Sequence, residues 1–189
     1  WVTLEKFGVD GDVIAIDLTT VKIRNFDKTI SSVPAKAFVN DSFVNWRGMK
    51  EAQGRRIMRN ISIDISSIRF CDADDIATFA EVAMVKDYVL HKQAEIDTYN
   101  TLHTQNSPMQ LNGRCQSNIG IYRNYVLNYL KNHPNVDPNF TIMVRQLQST
   151  AQGLPIEVYC FANTTIWTKY ETIQADIFDH LYGATAFFG

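Results

Sequence analysis

Thiols, imidazoles and clustered carboxylates are the side chains of this sequence that could carry chemistry. Cys160 and His180 could in principle form a nucleophile and its base, because a thiol attacks as the thiolate and needs a neighbour to take its proton. Cys160 stands in Val158-Tyr159-Cys160-Phe161, however, where a thiol reads as a small buried hydrophobe. Cys71 precedes a helix start, a place that can lower a thiol pKa, yet no base or resolving thiol adjoins it in sequence. His91, His103, His133 and His180 lie far apart, and none has a second His or Cys three to five positions away, so the spacing of a metal-ligand pair is missing. Asp72, Asp74 and Asp75 could face a hard cation, but the run lacks the glycine turn and closing glutamate of a calcium loop and reads as a helix cap. Gly8 and Gly11 have no Gly-Lys-Ser/Thr after them and read, with Asp10 and Asp12, as a turn entering a strand. The chain reads as a non-enzyme with no catalytic, metal or cofactor-binding residue and no cofactor.

The least ordinary local feature is basic. Arg47, Lys50, Arg55, Arg56 and Arg59 follow one another with Glu51 as the single acid among them. Such a run has three readings: a solvated face, a surface that lines an ion path or meets another subunit, or an RNA-binding patch on a small β-barrel. No aromatic platform for bases is interleaved with these residues in sequence, which weighs against RNA.

Composition narrows the class. The chain has 189 residues, 46% of them hydrophobic, and 18 Lys plus Arg against 20 Asp plus Glu, so it can bury a core and lacks the strong basic balance of a dedicated nucleic-acid binder. Apolar runs are short, as from Val13 to Ile16 and from Val82 to Val85, whereas a membrane helix needs roughly 20 apolar residues. The chain therefore reads as spanning no membrane, and its start at Trp1 without a Met reads as that of a fragment. Three cysteines without CxxC spacing favour a reducing compartment.

The elements that must position these residues follow from periodicity. Residues 12–33 alternate as strands with a four-residue loop at Asn25-Phe26-Asp27-Lys28, and Pro34 closes the second strand. Phe43 to Trp46 forms a further short strand, a loop carries Gly48 and Gly54, and alternation resumes at Ile57 with Ile61, Ile63 and Ile65 on one face. This predicts a small all-β barrel or sandwich over residues 1–66. After Phe70 the period becomes helical: one helix runs from the Asp72 cap to about Tyr99, a loop covers 101–117, and a second helix starts at Asn118 and stops at His133-Pro134. Segments Phe140–Leu147 and Ile156–Phe161 flank Gln152-Gly153 as a hairpin. Ile166, Tyr170, Ile173, Ile177 and Leu181 mark a closing helix that must lie on the hairpin's sheet to bury its stripe. The fold class is α+β, with an α+β domain over 67–189 following the β-domain.

The residues also resemble a known family. Gly11-Asp12-Val13-Ile14, Thr19-Thr20-Val21-Lys22-Ile23-Arg24-Asn25, Asp27-Lys28-Thr29-Ile30 and Val33-Pro34 are similar to the soluble, Sm-like β-domain of small-conductance mechanosensitive (MscS) channels. Asn45-Trp46-Arg47-Gly48-Met49, Gly54-Arg55-Arg56-Ile57, Asn132-His133-Pro134, Met143-Val144-Arg145-Gln146-Leu147 and Gln174-Ala175-Asp176-Ile177-Phe178-Asp179-His180 resemble the miniconductance, YbdG-like branch. The resemblance implies the cytoplasmic domain of a homo-heptameric channel subunit in a bacterial inner membrane. In that family membrane tension opens a pore that releases small solutes in hypo-osmotic shock. Its implied partners are copies of itself, small permeant ions, and the bilayer through helices upstream of Trp1, with no nucleic acid. Against the shortest relatives, a stretch of about 91–136 looks like a helical insertion, Ala35-Lys36-Ala37 replaces an Asn-containing turn, and a closing strand is expected beyond Gly189. An RNA-binding Sm-like barrel fused to an α+β module is the alternative.

Overall fold

A computed structural model describes residues 1–103 and 110–189. The elements in chain order are β1 (Val2–Leu4), β2 (Val9–Ile16), β3 (Thr20–Asn25), β4 (Ile30–Pro34), α1 (Ala37–Asn40), β5 (Val44–Asn45) and α2 (Arg47–Ala52), then β6 (Arg55–Ile63), α3 (Ala73–Ala80), α4 (Lys86–His103), α5 (Asn118–Asn132), β7 (Met143–Gln146), β8 (Leu154–Ala162) and α6 (Trp167–Phe188). Antiparallel sheets with helices set apart from them make the chain α+β, as its patterning predicts.

The chain divides into two compact units, Trp1–Gln53 and Gly54–Gly189. This differs from the boundary expected after residue 66, and the reason is strand pairing. All nine residues of β6 pair antiparallel with β8, from Arg55 opposite Ala162 to Ile63 opposite Leu154. A local hydrophobic pattern identifies a strand but not its partner, and this partner lies about a hundred residues away in sequence.

In the first unit the strands lie in the order β4-β3-β2-β1-β5, all antiparallel. Alternation puts Val2, Leu4, Val9, Val21, Ile23 and Val33 on the buried face. Asp10, Gly11 and Asp12 lie inside β2 rather than in a turn before it. Gly11 faces the backbone of Arg24 so closely that a Cβ there would overlap the Arg24 carbonyl, so the ladder needs glycine at this register position. The β3–β4 turn and the stop at Pro34 fall where the turn residues predict. The unit is not all-β, since α1 lies between β4 and β5 and α2 occupies residues expected to be loop.

In the second unit the sheet order is β6-β8-β7. Residues of β6 and β8 that stand opposite each other share a face, so Ile57, Ile61, Ile156, Val158 and Cys160 form one buried surface. Tyr170, Ile177 and Leu181 of α6 pack into the same core with Ile121, Tyr122, Val126 and Leu130 of α5. The closing helix thus buries its stripe as expected, except that Ile166 is its exposed cap residue.

The helix expected from Asp72 to about Tyr99 is two helices, α3 and α4, separated by Glu81–Val85. Burial explains the break: Phe79, Val85 and Val89 all enter the core, and the turn re-aims the chain between them. α4 continues to His103; residues 104–109 of the expected 101–117 loop lie outside the described residues. Ser117, not Asn118, caps α5, accepting from the Gly120 N–H, and His133-Pro134 ends it.

Candidate ion-lining and contact surface

The five basic residues are divided between the two units. Arg47 and Lys50 lie exposed on α2 of the first unit, where Arg47 Nε reaches Glu51 Oε1 at 2.7 Å one helical turn away. Exposed pairs of this kind contribute roughly 0.3–0.5 kcal/mol, so this contact orients Arg47 without anchoring the unit. Arg55, Arg56 and Arg59 lie on β6 of the second unit, and the two-residue period of the strand divides them again. Arg55 and Arg59 share the helix-bearing face with Ile57 and Ile61, whereas Arg56 points to the opposite face with Met58. The three β6 arginines, close in sequence, are therefore not one patch on the sheet.

Each β6 arginine has an aromatic partner. Arg55 lies over the Tyr170 ring at 4.5 Å, Arg59 over Phe178 at 4.7 Å, and Arg56 near Tyr159 at 5.9 Å. A guanidinium so placed is attracted to the face of the ring by its quadrupole. These rings come from α6 and β8, more than a hundred residues away in sequence, and Tyr170 and Phe178 are buried, so neither offers a base a platform. Tyr170 reinforces the arrangement by donating its hydroxyl to the Arg56 carbonyl at 2.9 Å. The sequence reading missed Arg145, which pairs with the buried Glu157 at 2.6 Å on the same sheet face as Arg56. The signal that could find it is strand register, since Arg145 and Glu157 are directly opposed.

The candidate reactive groups are placed as structural parts. Burial pushes the Cys160 thiol up to about 12 and the Cys71 thiol up to about 11, which removes the thiolate either would need for attack near neutral pH. Asp72 and Asp75 form a reciprocal capping box at the start of α3, and Arg69 pairs with Asp75 through both guanidinium nitrogens. The hydrogen bonds from Arg69 hold the Asp75 carboxyl down to about 2. His180 is hydrogen-bonded to Tyr125 at 2.7 Å and stacked on Tyr129, while His133 lies 3.7 Å from Asp176. These contacts tie α5 to α6. Among the described residues no group of three or more His, Cys, Asp or Glu side chains could hold a metal ion, and no helix is long and apolar enough to cross a membrane.

Comparison with known proteins gives this geometry a family. The family model "Mechanosensitive ion channel, beta-domain" matches residues 1–48, and "Mechanosensitive ion channel MscS, C-terminal" matches residues 115–184. The second match contains α5, which the sequence reading assigned to an insertion over about 91–136; residues 49–114 fall in neither. The chain is 37% identical over 60 residues to the low conductance mechanosensitive channel YnaI of Escherichia coli K12, a match spanning 32% of this chain and 18% of that protein. Its fold is similar to cryo-EM structures of Arabidopsis thaliana MSL1 (TM-score 0.53, 16% identity, 92% of this chain and 44% of that one) and of an MSL1 variant (TM-score 0.52, 15% identity, 95% and 48%). The chain spans less than half the length of these relatives. Matching the β-domain and the C-terminal domain in order, the chain belongs to the MscS family of mechanosensitive ion channels.

Proposed function

We propose that the chain is the cytoplasmic part of a miniconductance, YbdG-like channel subunit in a bacterial inner membrane. The subunit assembles with copies of itself, as a heptamer, and opens under membrane tension to release small solutes in hypo-osmotic shock. The observation that carries this reading is the order of two matches: a channel β-domain model falls on the first unit and a channel C-terminal model within the second. The chemistry agrees, because burial pushes the Cys71 and Cys160 thiols up and Asp72 and Asp75 are engaged in capping α3.

The β6 arginines then act by position. Arg55 and Arg59 share one face of the strand about 13 Å apart at the usual rise per residue, each backed by an α6 ring, and they line an ion path or meet an acidic group of a neighbouring subunit. Arg47 and Lys50 serve the same role from the first unit. The Sm-like closure of the β-domain belongs to this proposal as well. So does the insertion over about 91–136, of which residues 91–114 lie outside both matched segments.

The test is survival of osmotic downshock in a bacterial strain stripped of its own mechanosensitive channels. The full-length gene, with apolar segments of about 20 residues encoded before Trp1, rescues the strain. A gene with no such segments, or a membrane-inserted product that gives no rescue, contradicts the proposal.

A further inference from the structure

The first unit leaves three aliphatic side chains bare at one end of its sheet. Leu18 is 97% exposed, Val39 84% and Ile16 76%. Leu18 lies in the turn between β2 and β3, where Gly, Asn, Asp and Ser are the usual residues. Ile16 stands opposite the buried Val21, but β1 pairs with β2 only over residues 9–11 and does not reach it. At the same end Pro34 of β4 stands opposite Thr20, and the Ala35 N–H donates to the Thr19 carbonyl at 2.9 Å. α1, which carries Val39, therefore starts beside this turn.

Strand register gives this end a direction. Val2 stands opposite Gly11, and the Trp1 backbone nitrogen lies 3.4 Å from Asp12. From Asp12 to Ile16 β2 runs on past Trp1 by roughly 10–13 Å at the usual strand rise, with the turn beyond it. β1 runs the other way, antiparallel to β2, so the backbone at Trp1 opens toward the turn. On the channel reading proposed above, pore helices join the chain at Trp1, and the bilayer then lies on the side to which the β2–β3 turn points.

Shape and charge favour lipid over protein as the occupant. A stable protein contact buries about 800 Å² on each partner and needs a matching surface, which a narrow turn and one face of a short helix do not supply. A fluid bilayer closes around such a tip without a preformed groove. Two lysines flank the aliphatic residues: Lys22 on β3, half-exposed and 3.7 Å from Asp17, and Lys36 at the start of α1, exposed. Asp17 is the single acid of the turn. Aliphatic residues with lysines beside them match the layering of an interface, acyl chains first and phosphates behind.

We propose that the β2–β3 turn and α1 form a lipid-docking tip, which sets Leu18, Ile16 and Val39 into the headgroup region of a phospholipid surface while Lys22 and Lys36 face lipid phosphates. Its direction rests on the channel reading, but its binding to lipid needs no pore.

The experiment is co-sedimentation of the 189-residue chain with vesicles of phosphatidylcholine alone and of equal parts phosphatidylcholine and phosphatidylglycerol. The chain partitions onto both, and more strongly onto the anionic ones. Leu18→Ser weakens partitioning about tenfold or more on either vesicle, and Lys36→Gln weakens it about fivefold on the anionic vesicles alone. Both positions are exposed, so the unfolding midpoints stay at that of the parent. In Leu18→Trp, lipids with brominated acyl chains quench more of the emission than in the parent. No sedimentation with either vesicle, or equal sedimentation of the parent and Leu18→Ser, would overturn the proposal. So would self-association without lipid that Leu18→Ser abolishes, since the tip would then belong to a second copy. Lost vesicle binding beside intact rescue from downshock strikes only this docking, and vesicle binding without rescue strikes only the channel reading.

Discussion

Arg59 lies across the face of Phe178, its guanidinium carbon 4.7 Å from the ring centre, although the two residues are more than a hundred positions apart. Phe178 is buried on α6, whereas Arg59 is exposed on β6, so the contact covers the core while keeping the charge at the surface. Arg59→Ala lowers stability by about 0.5–1 kcal/mol, the range for exposed cation–π pairs. Urea unfolding of the two proteins side by side reads this loss. An unchanged midpoint would show that the ring and the guanidinium are neighbours without interaction.

Asn118 is the polar hub of the second unit. It is 3% exposed; its Oδ1 accepts from the Arg69 N–H at 3.0 Å, and its Nδ2 donates to the Ser67 carbonyl at 2.9 Å and the Phe188 carbonyl at 3.1 Å. The side chain thereby joins the segment after β6, the start of α5 and the end of α6. Asn118→Ala leaves several backbone groups unpaired at a buried site, and each costs roughly 1–3 kcal/mol. We expect a loss of about 3 kcal/mol or more by chemical denaturation, well above that of Arg59→Ala.

Acid stability depends on Arg69 and Asp75. The folded Asp75 carboxyl sits at about 2 against an ordinary 3.8, chiefly through the hydrogen bonds from Arg69. Because the folded pKa is the lower one, the stabilisation is fully present above the unfolded pKa and is lost as pH falls through the folded value. Arg69→Met therefore destabilises the chain at pH 6, and the difference from the parent shrinks as pH drops from about 4 to about 2. Thermal melts across that window check the sign; a difference that grew toward acid would contradict the assignment.

Thiol chemistry should follow burial. Cys71 and Cys160 are buried with thiols pushed up to about 11 and about 12, while Cys115 is half-buried. Iodoacetamide at pH 7.5 modifies Cys115 first, and the other two react only when denaturant opens the unit. Mass mapping of the alkylated peptides gives the order directly. Rapid labelling of Cys160 in the folded chain would reopen its reading as a nucleophile.

Local signals in the sequence were sufficient for most elements and insufficient for their partners. The Pro34 stop, the Asp72 cap, the His133-Pro134 end of α5 and the α6 stripe are written in residues within one turn of the event. Gly48 between Arg47 and Met49 hid α2, because glycine in a short polar stretch reads as loop while the helix forms there regardless. The break between α3 and α4 has neither Gly nor Pro to announce it and arises because Val85 and Val89 are drawn into the core. Pairing of β6 with β8 moved the domain boundary to Gln53. The same pairing separated Arg56 from Arg55 and Arg59, which a one-dimensional charge count groups together.

The most direct measurement is a patch-clamp record from bacterial spheroplasts that lack their own mechanosensitive channels and express the full-length subunit. Suction on the patch should evoke stepwise currents whose open probability rises with tension and which vanish when the gene is omitted. Membranes that contain the protein yet give no tension-dependent current up to patch rupture would contradict the assignment of this chain to a working channel.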